Sequence, residues 1–272
     1  MFVKHKNELE KNVQKVNLSV LESGWALIDE AWHGENVKSI FNRLYYIIEG
    51  NGAFVESEGE CVELMPGCIY LIPSCLKYNY WCKGIVKKVF FHINIKRPDG
   101  YDAFSDFGRI GELSDAAAVK RISELFEEER LSSAFELGGE LLKTVAAVSE
   151  KYDFEMGAGK RDEHSVVLRS AERYIQNNLS IKLTRKMIAD NCKVSEGKLA
   201  MHFREELGVS VGKYIDDLVF MEAIRRLLYT DDSLGDISED LGFCDQFYFS
   251  RRFSEVYKIS PLKYRQEMRK RG

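Results

Sequence analysis

The strongest constraint on this chain is a pattern written twice between Leu183 and Arg265. The first copy has Ile188-Ala189, Val194-Ser195, Leu199 and Phe203 four apart, then Gly208-Val209-Ser210 and Tyr214. The second has Ile237-Ser238, Phe243, Phe249 and Phe253 four apart, then Lys258-Ile259-Ser260-Pro261 and Tyr264. Ile188 and Ile237 are 49 residues apart, Phe203 and Phe253 are 50, so the second copy carries one extra residue at its turn. Each copy reads as a short helix, a tight turn and a second helix. This is the helix-turn-helix unit, whose second helix can lie in a DNA major groove.

The local chemistry of each copy supports that reading. Thr184 is placed to cap a helix that buries Met187, Ile188 and Cys192. Ser195 caps the next helix, and Leu199, Phe203 and Leu207 form its buried stripe. Gly197, Ala200, Met201 and Arg204 then face away from the core, with Ser195 and Lys198 at the exposed helix start. In the second copy Ser233 and Asp236 resemble a capping box, Ile237 and Leu241 point inward, Gly242 makes the turn, and Phe249, Phe253 and Val256 anchor the second helix. Gln246, Phe247, Ser250, Arg251 and Ser254 face out. Between the copies a helix is expected from about Val211 to Tyr229, which at ~1.5 Å per residue is about 28 Å long. Major-groove segments on one face of DNA recur about every 34 Å, so one chain could place two reading helices in adjacent segments.

The double unit, its connecting helix and the stretch DISEDLGFCDQFYFSRRFSEVYKISPLKYR resemble the DNA-binding domain of AraC-type transcription regulators. The resemblance implies promoter binding, contact with RNA polymerase and a homodimer, and leaves open whether it is an activator or a repressor. It implies DNA contacts at Ser195, Gly197, Lys198, Ala200, Met201, Arg204, Gln246, Phe247, Ser250, Arg251 and Lys263. Three positions depart from the pattern: Lys193 and Lys258 stand where a turn glycine is usual, and Val211 where a proline is usual. The first reading helix also presents Gly197, Ala200 and Met201 where polar or aromatic base-readers are common.

The first half has a different texture. From Ile40, the stretches IFNRLYYII, AFVES, CVELM, CIYLIP, KYNYWC and VKKVFFHINI are separated by Gly and Pro turns. Their β-branched and aromatic content predicts a small antiparallel barrel or sandwich. This region resembles the cupin-like sensor domain found ahead of many AraC-type DNA-binding domains. Enzymatic cupins hold a metal with clustered histidines. Here the five histidines stand at 5, 33, 92, 164 and 202, none as HxH, and Tyr78 occupies a position where such folds often keep one. We therefore expect no metal, no cofactor and no catalysis. A pocket for a small polar effector remains open as a reading, against the alternative that the polar faces look at solvent. Tyr78 and Tyr80 alternate onto one face, and Phe90, His92 and Asn94 share another. Arg43, Glu49, Tyr78, Tyr80 and His92 are the candidate effector contacts. The resembling family often binds sugars, and the aromatic face allows one.

Apolar residues from Val119 to Val148 recur at helical spacing and predict an αα-hairpin, which in the resembling family often joins subunits. The stretch EKYDFEMGAGKRDE is polar and aperiodic. The predicted α+β organisation is thus a sensor and dimerisation domain over 1–150, a linker over 151–163 and an all-α DNA-binding domain over 164–272. Charge follows the same division. The net charge of −4 splits into +3 from residue 164 onward, where 19 Lys and Arg face 16 Asp and Glu, and −7 before it. The basic residues crowd the second unit and the tail, from Arg251 to Arg271. The six cysteines form no CxxC pair, which suits free thiols in a reducing compartment. The charged start without an apolar core and the lack of a long apolar run point to a cytoplasmic protein. Two rivals stay open: a cupin enzyme fused to a DNA-binding tail, and a regulator controlled by a partner protein alone.

Overall fold

The structure is a computed structural model that describes residues 17–96, 102–128, 130–154 and 166–269. The chain divides into two compact units between Asp162 and Glu163. A linker is expected at 151–163. A helix runs to Lys151, and Tyr152 and Phe154 pack against the first unit's core. Residues 155–163, with Lys270 and Arg271 of the basic tail, lie outside the described residues.

Among the described residues the first unit has nine strands: β1 (Asn17–Ile28), β2 (His33–Lys38), β3 (Asn42–Gly50), β4 (Ala53–Ser57), β5 (Glu60–Glu63), β6 (Cys68–Ile72), β7 (Lys77–Cys82), β8 (Val86–Lys96) and β9 (Gly111–Ser114). They form two antiparallel sheets, ordered β1-β8-β3-β6-β9 and β2-β7-β4-β5. Between the sheets lie Tyr45, Ile47, Val55, Leu64, Tyr70, Ile72, Tyr78 and Val86. The outer face of the five-stranded sheet carries Leu44, Tyr46, Val89, Phe91, Ile93 and Ile95. Two helices, α1 (Ala116–Phe126) and α2 (Leu131–Lys151), cover it through Val119, Ile122, Leu141, Val145 and Val148. The middle strands are thus buried on both faces, which is why they read as continuous apolar runs rather than as a clean alternation.

Three elements were not legible. β1 and β2 precede Ile40, where the expected strands begin, and β1 is an edge strand with Val20, Trp25 and Leu27 exposed. β9 is a four-residue strand at the far edge of its sheet, paired with β6. Phe135, placed by spacing on the buried stripe of the hairpin, is 75% exposed.

Asp102 ties the β core to the loop beyond β8. Its carboxylate accepts from Asn42 Nδ2 at 2.7 Å, the Ile95 amide at 3.0 Å, the Phe104 amide at 2.9 Å and Ser74 Oγ at 3.2 Å. Asn42 in turn accepts the Ser74 amide at 2.9 Å. Every donor in this knot is buried, so each bond lost leaves a group without water.

The second unit is all helical: α3 (Val166–Asn177), α4 (Arg185–Asn191), α5 (Glu196–His202), α6 (Val211–Tyr229), α7 (Leu234–Asp240), α8 (Gln246–Tyr257) and α9 (Pro261–Arg269). The last turn of α5 widens into a π-helix over Phe203–Leu207, ending at left-handed Gly208 with φ +65°. Phe203 packs edge-on to Tyr214 at 5.3 Å, and the Tyr214 hydroxyl donates to buried Glu172 at 2.9 Å. Phe220 of α6 meets Phe243, Phe253 and Tyr257 at 6.0 to 6.3 Å. Tyr257 rather than Val256 continues the buried stripe of α8, at the i, i+4, i+8 positions; Val256 is 49% exposed. Met187 is likewise 45% exposed, and Ile188 with Ala189 forms the buried face of α4.

We expect Asp102→Ala to destabilise the first unit by roughly 3 kcal/mol or more, since it orphans several buried donors at once. All three tryptophans, Trp25, Trp32 and Trp81, lie in that unit. Urea unfolding followed by tryptophan emission therefore reads this unit, and an unshifted midpoint would refute the knot's importance.

Candidate functional site

Two groups of side chains in separate units are candidates. The first lies on the helix-turn-helix units. α4 and α5 form one, α7 and α8 the other, with α6 running the 19 residues between them. Each is capped as its residues require. Thr184 Oγ1 accepts the Met187 amide at 3.2 Å, Ser195 Oγ the Lys198 amide at 3.2 Å, and Ser233 closes a reciprocal capping box with Asp236. Asp245 accepts both Phe247 and Tyr248 amides, at 2.8 and 2.7 Å. These bonds hold its carboxyl below the usual aspartate range, the Tyr248 amide contributing most. Lys193 and Lys258 adopt φ of +56° and +59°, the left-handed turns in which glycine is usual.

On α5 and its π turn, Ser195, Gly197, Lys198, Met201 and Arg204 are exposed and Ala200 is half-buried. On α8, Gln246, Phe247 and Arg251 are exposed, Ser250 is half-buried, and the Arg251 guanidinium lies 5.3 Å from the Tyr248 ring centre. Phe247 is 77% exposed, an unusual place for a phenyl ring unless something else covers it. Lys263 on α9 is exposed and pairs with Glu267 at 3.6 Å. Other basic residues in this region are committed to the fold. Arg252 pairs with Asp216 at 2.9 Å, and Arg265 donates to the carbonyls of Leu227 and Asp232.

The second group lies between the sheets of the first unit. Period-2 alternation sends Lys88, Phe90 and His92 of β8 to the side opposite Val89, Phe91 and Ile93. Register then aligns them in rows. Glu22, His92 and Arg43 sit side by side on β1, β8 and β3; Gly24, Phe90 and Tyr45 form the next row, and Ala26, Lys88 and Ile47 the third. Tyr78 and Tyr80 come from β7 in the facing sheet, rings 5.8 Å apart. Gly34 on β2 opposes Tyr80, where a Cβ would meet the ring at 2.6 Å, so only glycine leaves the ring its place. Trp32 lies tilted against Tyr80, ring centres 4.4 Å apart, and meets Tyr45 edge-on at 6.3 Å.

The electrostatics of this group are lopsided. His92 Nδ1 lies 2.8 Å from Glu22, yet burial outweighs that carboxylate and pulls the imidazole below its ordinary pKa. For Arg43, burial is outweighed by the hydroxyls of Tyr78, Tyr45 and Tyr80 and by Glu22, so it stays charged; its guanidinium lies 4.6 Å from the Phe41 ring centre and 5.5 Å from that of Tyr78. Lys88 is 3% exposed. Its Nζ sits 3.5 Å from the Tyr45 ring centre and 4.2 Å from that of Trp32, and no carboxylate pairs with it among the described residues. Burial, then the nearby Arg43, pushes its pKa well below that of an ordinary lysine. Burial also raises the Tyr45 and Tyr78 hydroxyls. The Tyr78 hydroxyl lies toward Tyr45 without completing a well-formed hydrogen bond.

Of the five expected effector contacts, four converge here: Arg43, Tyr78, Tyr80 and His92. Glu49 does not. It is exposed near the end of β3, beyond a bulge that follows Ile47, where it opposes Lys87. Lys88, Tyr45, Glu22 and Phe41 were missed. Lys88 was findable, because it shares the parity of Phe90 and His92 along VKKVFFHINI.

Comparison with known proteins agrees with the helical unit and with the whole architecture. Residues 188–267 match the family described as a helix-turn-helix domain. The chain is 33% identical over 95 residues to the HTH-type transcriptional regulator YisR of Bacillus subtilis, a match covering 35% of this chain and 33% of that protein. It is 28% identical over 191 residues to the arabinose operon regulatory protein of Salmonella typhimurium, covering 68% of this chain and 62% of that one. The chain thus spans about a third of the first of these relatives and less than two thirds of the second. Both are named for regulation and neither for catalysis. The structure of ToxT from Vibrio cholerae shares the fold, with a TM-score of 0.60 at 14% identity over 91% of this chain and 98% of that one.

The buried lysine gives a signed expectation. Its folded pKa is depressed, so between that value and the ordinary ~10.4 the unfolded chain holds a proton the folded chain has shed. The contribution of Lys88 to stability is therefore full above the ordinary value and is lost as pH falls through this window. Lys88→Met should raise the melting temperature at about pH 7 and flatten the rise in stability as pH climbs toward the ordinary lysine value. A lower melting temperature with an unchanged slope would show that the lysine is compensated.

Proposed function

We propose that the chain is an AraC-type transcription regulator, a one-component switch that binds promoter DNA and answers to a small effector. The observation that carries the reading is the pair of capped, outward-facing helices α5 and α8 held on one connecting helix within a single compact unit. Each lies in a major-groove segment, and α6, at ~1.5 Å per residue, spans most of the ~34 Å between successive segments. Ser195, Lys198 and Lys263 serve the phosphates, and Gly197 lets the backbone approach. Ala200 and Met201 offer only apolar contact to a thymine methyl, and Arg204 reaches a phosphate from the π turn. Gln246 and Arg251 are suited to bidentate pairing with adenine and guanine edges, with Ser250 and Phe247 beside them. The sheet unit over 1–150 receives the effector at Arg43, Tyr78, Tyr80 and His92, and its hairpin joins two copies. Effector binding then changes how paired DNA-binding units, with RNA polymerase as further partner, occupy a promoter.

Selection of binding sites from randomised duplexes tests the division of labour. Arg251→Ala should cost ~1–3 kcal/mol on the selected site and relax preference at one base position. Met201→Ala should cost less and act only at a thymine. Equal weakening on all sequences by Arg251→Ala would make that residue a phosphate clamp instead.

Salt provides a second measure, on a fragment of residues 164–272 in fluorescence anisotropy. Affinity should fall steeply with salt through counterion release. Lys263→Ala should weaken every sequence alike and reduce the logarithmic slope by about one; an unchanged slope removes Lys263 from the contacts.

A further inference from the structure

We propose that the interior of the sheet unit is built for a small hydroxylated carboxylate, a sugar acid rather than a neutral sugar, with Lys88 and Arg43 as its counter-charges. The proposal rests on the effector reading above and specifies its chemistry.

Lys88 is the central observation. A lysine in a β core ordinarily runs its ammonium out to water or meets a carboxylate, because an unpaired buried charge is costly. Here β8 is the second strand of its sheet, flanked by β1 and β3, and alternation leaves the side chain no route but inward. Its Nζ rests on the faces of Tyr45 and Trp32. Cation–π contact of this kind is a modest substitute for a counter-ion. Arg43 stands two rows away on the same face, with Tyr45 between them, and its described contacts are Ser39 Oγ and the rings of Phe41 and Tyr78. The acid on this face is Glu22, which is engaged with His92. Two permanent or potential cations therefore face one carboxylate, and an entering anion would restore balance.

The remaining groups indicate what the anion carries. Tyr45, Tyr78 and Tyr80 present hydroxyls and ring faces, and the buried Tyr78 hydroxyl lacks a well-formed bond. A hydroxyl group on a ring-shaped body would use it, and aromatic walls suit its apolar face. Arg43 has the planar fork that matches a carboxylate. A phosphate fits less well. Such groups favour free backbone amides at helix N-termini or in nests, and here the amides of β8 and β3 are spent in the sheet ladders.

The full chain, titrated by calorimetry and followed by thermal shift, tests this with defined probes: galacturonate and gluconate against galactose and glucose, with glucose 6-phosphate as the phosphorylated arm. Binding by a carboxylate probe and not by its neutral parent is expected. Lys88→Met, which should fold because it removes a buried charge, should weaken that binding roughly ten- to a hundredfold, and Lys88→Arg should restore much of it. A neutral sugar that binds as tightly as its acid, or an acid that binds Lys88→Met unchanged, overturns the proposal and leaves the effector reading standing. Binding of glucose 6-phosphate alone overturns the choice of carboxylate. Failure of every probe overturns the proposal. If DNA binding by the full chain is also the same with and without all five, the effector reading falls with it.

Discussion

The first unit depends on the two-sided burial of β8. One face of that strand gives Val89, Phe91, Ile93 and Ile95 to the helices, and the other gives Lys88, Phe90 and His92 to the space between the sheets. Because the side-chain period is two, a one-residue slip would exchange the two sets. It would press a lysine and a histidine against α1 and α2 and turn the apolar row toward the aromatic cluster. The register is held at one end by pairing with β1 and β3, and at the other by Asp102, which takes the Ile95 amide. The same backbone constraint that builds the core therefore places the polar cluster, and the site could not move without unmaking the fold.

In the second unit the corresponding element is α6. It is buried along much of its length, at Val211, Tyr214, Ile215, Val219, Phe220, Ala223, Ile224 and Leu227. Tyr214 near its start closes on Phe203 of the first helix-turn-helix, and Phe220 closes on Phe243, Phe253 and Tyr257 of the second. Apolar residues all round it are what a helix needs when it serves two cores rather than one. The two copies differ at the end of their second helix. The first loosens into a π turn, whereas the second runs regularly for 12 residues to Lys258.

Much of the helical unit was legible because its signals are local. Caps, four-residue spacing and turn residues decide a helix-turn-helix, and the expected span of α6 is the observed one. The misassigned positions, Met187 and Val256, sit beside residues that are buried, so the error is one of angle around a helix. The sheet unit was legible only in its centre. β3, β6 and β8 announce themselves by β-branched and aromatic runs, but β1, β2 and β9 carry half-exposed, mixed sequences that become strands by pairing with neighbours far along the chain. Of the cluster between the sheets, alternation points to Tyr78, Tyr80 and His92, and charge on the first of the β runs to Arg43. Glu49 was misplaced because a bulge after Ile47 changes the parity, and spacing cannot reveal a bulge. Lys88 was passed over because its charge suggests water, although its parity says otherwise.

The connecting helix has a consequence for how such a chain can change. Its two ends are locked into separate cores, so its length sets the angular phase between the two reading helices. Adding one residue within it would turn one of them by about 100° and shift it ~1.5 Å along the axis, enough to aim its side chains away from the groove. Substitutions along α6 are matters of packing, but insertions and deletions there are forbidden in a way they are not elsewhere. The one-residue difference between the repeats obeys this. It falls between α7 and α8, in the turn, where four residues separate the first pair of helices and five the second. The duplicated unit has drifted in length where a loop absorbs the change and not in the shaft that keeps its halves in step.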